Sequence, residues 1–63
     1  MNCNTLELLK TGLTERIRHL NAKALMYEAQ KDYLSALDAN NRKVALLFEL
    51  TNVIQCQIDA RKL

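Results

Sequence analysis

Residues 6–34 read LELLKTGLTERIRHLNAKALMYEAQKDYL, with Leu6, Leu13, Leu20, Tyr27 and Leu34 recurring every seven positions. A strand would need apolar and polar residues to alternate. A seven-residue repeat held over five positions keeps one apolar stripe on one face of an α-helix. The 63-residue chain has no proline and a single glycine, Gly12. A glycine inside a helix costs about 1 kcal/mol against alanine, and Thr11 and Thr14 could cap a break beside it. The stripe stays in phase across Gly12, so one continuous helix is expected. Asn4 followed by Glu7 has the spacing of a capping box. The first helix is therefore predicted over about residues 5–37, ~50 Å at 1.5 Å per residue.

Asp38-Ala39-Asn40-Asn41 is a polar cluster with turn chemistry, since asparagine tolerates a left-handed backbone and caps helices well. A turn is predicted at 38–41 and a second helix over about residues 41–61, roughly 31 Å long. Its apolar series is Val44, Leu47, Phe48, Thr51, Ile54 and Ile58. So short a connection makes the helices antiparallel neighbours. That turn would place Leu34 near Val44, Tyr27 near Thr51, Ala24 near Ile54 or Gln55, and Leu20 near Ile58. The fold class is thus all-α: a single domain, 1–63, built as an antiparallel two-helix hairpin and completed by oligomerisation or by a partner protein.

Two features point to association. The first helix would outreach the second, leaving Leu6, Leu9 and Leu13 as an uncovered overhang. Both helices also carry more apolar residues than one seam can hide. A chain this short buries only about 60% of the surface it exposes when unfolded, and burying six leucine-sized side chains would contribute about 9–18 kcal/mol before entropy. The predicted protein-binding residues are Leu25, Met26, Tyr33, Leu46, Leu50 and Val53, with Leu6 and Leu13 on the overhang.

Little in the chain suggests chemistry. The predicted register would put His19 and Cys56 about one helical turn apart, too few ligands for zinc and no constellation for a Cys-His nucleophile. There is no phosphate loop, no zincin motif and no paired-carboxylate site. The expectation is a protein that is not an enzyme and takes no cofactor or metal. Arg16, Arg18, His19 and Lys23 cluster on the first helix, and the predicted turn would bring Arg61 and Lys62 beside them. A net charge of +2 is too small to single out nucleic acid. The alternative reading is a small dimeric nucleic-acid-associated regulator that uses this basic end. No apolar run approaches the ~18 residues of a membrane span. Cys3 and Cys56 would sit far apart in a hairpin, which fits a reducing, cytoplasmic setting.

The length, the hairpin pattern and the aliphatic second helix, here Leu46-Leu47-Phe48-Glu49-Leu50-Thr51-Asn52-Val53-Ile54, resemble the small helical-hairpin co-chaperones of type III secretion needle subunits. The resemblance covers most of the chain and has no strict motif from which site residues carry over. The predicted turn is also tighter than that family's and lacks glycine. The resemblance implies a protein that binds a larger helical chaperone and helps sequester a needle subunit. The residues alone support the broader expectation, a small non-enzymatic protein–protein interaction module acting with a helical partner or with itself.

Overall fold

The computed structural model describes residues 3–62. They form two antiparallel helices, α1 (Cys3–Ala29) and α2 (Tyr33–Lys62), with no strand among the described residues. The all-α hairpin is as expected, but its turn is not at 38–41. It lies at Gln30-Lys31-Asp32. With 27 and 30 residues the helices are nearly equal in length, so the predicted overhang does not exist. The rod measures 49 × 15 × 12 Å and is one layer of helices thick.

Backbone hydrogen bonds account for the turn. The Lys31 N–H donates to the Glu28 carbonyl at 3.0 Å, and the Asp32 N–H to the Tyr27 carbonyl at 2.9 Å. These two bonds make a Schellman motif, which satisfies carbonyls left over at a helix C-terminus. The residue at its left-handed position is Lys31, with φ of 60°, where glycine is usual. Asp32 then starts α2: its Oδ1 accepts from the Ser35 N–H at 3.3 Å, as an N-cap side chain does. The Asp38–Asn41 cluster lies inside α2 instead. There Asp38 pairs with Arg42 one turn on, at 3.2 Å.

The first helix is continuous across Gly12. Thr11 and Thr14 do not cap a break: their hydroxyls donate to the Glu7 and Lys10 carbonyls at 3.0 and 2.8 Å. Asn4 lies inside α1 rather than at its cap, and the Glu7 carboxylate accepts from Gln57 Nε2 across the hairpin at 2.8 Å. A second cross-hairpin bond runs from Lys43 Nζ to Asn21 Oδ1 at 3.1 Å. These two bonds fix the register: Glu7 lies opposite Gln57, and Asn21 opposite Lys43.

That register gives each helix an alternating three-and-four spacing toward the other, the pattern of a left-handed coiled-coil seam. Along α1 it runs Leu6, Lys10, Leu13, Ile17, Leu20, Ala24, Tyr27, and along α2 Ala36, Ala39, Lys43, Leu46, Leu50, Val53, Gln57; every one of these is buried or half-buried. The most buried are Leu6, Leu13, Ala24, Ala36 and Ala39. Alanines cluster toward the turn, with Ala24 opposite Ala39 rather than near Ile54. Small side chains there let the backbones converge into the three-residue connection. Toward the open end leucines and Val53 fill the seam, and Lys43 lays its stem along it while its ammonium reaches Asn21 at the edge.

Candidate functional site

α2 carries two apolar stripes. The inner one packs on α1. The outer one, Leu37, Val44, Leu47, Thr51, Ile54 and Ile58, repeats the same three-and-four spacing with Asn40 filling its one polar step, and all six residues are exposed. Phe48 stands beside it, 70% exposed. The Thr51 hydroxyl is spent on its own helix, donating to the Leu47 carbonyl at 2.9 Å, which leaves its methyl as the group free to pack. From Val44 to Ile58 the chain reads VALLFELTNVIQCQI, with Glu49 the sole charge. Glu49 borders the groove between the helices, away from the outer stripe. The result is an uncharged apolar face about 21 Å long at 1.5 Å per residue.

The groove flanks the seam on the other side. Its larger part, about 750 Å³, is bounded by Glu15, Arg16, His19, Leu20, Arg42, Ala45 and Leu46. A second stretch of about 320 Å³ lies toward the open end between Leu9, Gly12 and Leu13 of α1 and Glu49 and Val53 of α2. Small Gly12 and Ala45 make room, and charges of both signs form the rim.

The predicted binding residues divide between exposed positions and the seam. Leu25, Met26 and Tyr33 are exposed as expected. Leu6 and Leu13 are instead core residues, because α2 reaches back far enough to cover them. Leu46, Leu50 and Val53 are half-buried members of the inner stripe, although Leu46 and Val53 also touch the groove. Conversely Val44, Leu47, Phe48, Ile54 and Ile58, read from the sequence as the hairpin seam, are the open face. Moving the turn from 38–41 to 30–32 changes which side of α2 meets α1. The exposed outer face is what that earlier register concealed.

No protein-family model, curated protein or solved structure matches the chain.

The predicted juxtapositions of polar groups dissolve with the same shift. Cys56 falls opposite Leu8, about 16 Å along the axis from His19 rather than one turn from it. No group of three or more His, Cys, Asp or Glu among the described residues could hold a metal ion. Arg61 lies beside the start of α1, far from Arg16, so the single basic end is not formed. Arg18 pairs with Glu15 at 3.4 Å, while Arg16, His19 and Arg42 share the groove wall with Glu15. Among the described residues no helix is long and apolar enough to cross a membrane.

Proposed function

We propose that the chain is a non-enzymatic protein–protein interaction module that docks through the outer face of α2. The observation that carries this reading is the second heptad stripe, complete in spacing and left without a partner helix. Scattered apolar residues are ordinary on a protein surface, whereas a contiguous apolar patch marks an interaction site. Helix-to-helix recognition uses such anchors at three- and four-residue spacing. The more specific reading, a co-chaperone that binds a helical chaperone and helps sequester a needle subunit, rests on the resemblance in length and hairpin pattern. An exposed aliphatic α2 face is compatible with it.

The nucleic-acid alternative draws on Arg16, His19 and Arg42 along the groove, but Glu15 and Glu49 interrupt that wall. The test is association measured by sedimentation for wild type, for Leu47→Asp with Ile54→Asp, and for Arg16→Ala with Arg18→Ala, at low and high salt. An apolar interface is expected to survive or strengthen in sulfate, to be lost in the aspartate pair and to persist in the alanine pair. Loss in the alanine pair alone, with steep weakening by salt, would overturn the reading in favour of the regulator.

A further inference from the structure

We infer that the partner on the outer stripe of α2 is a second copy of this chain, packed antiparallel about a two-fold axis near Thr51. The inference deepens the interaction reading above by naming the occupant of the same face. Spacing is its first support. Relative to Thr51, apolar residues stand seven positions before and after (Val44, Ile58) and three or four before and three after (Leu47, Phe48, Ile54). Reversed, the pattern nearly superposes on itself, which is what an isologous interface needs, because the same patch must serve on both subunits. Val44 then lies opposite Ile58 of the second copy, and Leu47 close to Ile54. The small Thr51 meets its own counterpart at the axis, and since its hydroxyl is already bonded to Leu47, no polar group there is stranded.

Charge is the second support. In an antiparallel homodimer a charge near the two-fold axis approaches its own copy, so the centre of a self-pairing face has to be neutral. The outer stripe carries none, and Phe48 and Gln55, the free-flank residues nearest the axis, are uncharged too. Asp59 lies further out on that flank, where its Oδ1 accepts from Gln55 Nε2 at 3.0 Å.

Area is the third. The chain exposes 4968 Å², whereas a compact monomer of its 7.2 kDa would expose about 4,100 Å². The excess of roughly 850 Å² is close to the ~800 Å² that each partner contributes to a standard stable interface. Pairing α2 with α2 turns a one-layer rod into a four-helix assembly.

Cysteine cross-linking in a Cys3→Ser, Cys56→Ser background tests the geometry, with sedimentation and circular dichroism on the same proteins. Val44→Cys and Ile58→Cys chains are each expected to resist oxidation to dimers alone, because equivalent cysteines would sit about 21 Å apart. Their equimolar mixture is expected to cross-link. Leu47→Asp, which buries an unpaired carboxylate near the axis, is expected to weaken self-association at least ~100-fold while leaving helicity intact. Cross-linking of Val44→Cys alone would show a parallel pair and overturn the inference. A fully helical wild-type monomer at high concentration that still binds an apolar dye would overturn self-pairing and leave the interaction reading standing. A dimer indifferent to Leu47→Asp would sink both.

Discussion

Lys31 is the residue on which the fold turns. It holds a left-handed backbone, φ 60°, where an L-residue with a Cβ pays roughly 1–2 kcal/mol that glycine does not. Replacing Lys31 with glycine removes that strain but loosens the unfolded chain, and the expected net gain is about 0.5–1 kcal/mol in denaturant unfolding. A loss of stability would mean that the Schellman geometry is not what ends α1. Its neighbour Asp32 caps α2 through Ser35, so Asp32→Ala is expected to cost ~0.5–2 kcal/mol. Asp32→Asn, which keeps the acceptor, is expected to cost little. Gly12 offers a third check. A Cβ added there would meet nothing within 4 Å, so Gly12→Ala is expected to stabilise the hairpin by up to about 1 kcal/mol. These residues also explain why the turn was not legible from sequence. Gln30-Lys31-Asp32 has neither glycine nor proline, and its geometry is set by backbone hydrogen bonds that fit almost any side chain. Asp38-Ala39-Asn40-Asn41 has turn composition, yet Asp38 serves equally well in a one-turn ion pair with Arg42.

At the scale of the element, seven-residue periodicity was reliable within α1 and misleading beyond it. Leu6, Leu13, Leu20 and Tyr27 all belong to the seam, but Leu34 continues the count by coincidence across the turn and is 83% exposed. The existence and type of both helices were legible because their apolar residues are spaced for nothing else. The docking face was not, because α2 has two stripes and only the turn position decides which meets α1. The two stripes predict opposite mutational behaviour. Leu13→Ala, opening a cavity in the seam, is expected to cost about 2–5 kcal/mol of hairpin stability. Phe48→Ala is expected to change the stability of the isolated hairpin by no more than ~0.5 kcal/mol while weakening association. Thermal and denaturant unfolding of the dilute variants checks the first half, and sedimentation the second. If Phe48→Ala unfolded the dilute hairpin as Leu13→Ala does, the assignment of inner and outer stripes would be wrong.

For the whole molecule, a single layer of two helices leaves one long face of α2 without the second layer around which domains build their cores. The central claim is that this face is an apolar docking surface. Fluorescence of an apolar dye such as anilinonaphthalene sulfonate, followed per mole of chain over a hundredfold dilution series, tests it most directly. The dilute wild type is expected to enhance the dye strongly. The enhancement per chain is expected to fall as concentration rises and the stripe is covered by a second copy. Leu47→Asp with Ile54→Asp is expected to lose most of the signal at every concentration, whereas Arg16→Ala with Arg18→Ala is expected to keep it. A dilute wild type that is fully helical yet leaves the dye dark, or a signal that the aspartate pair does not change, would contradict the account.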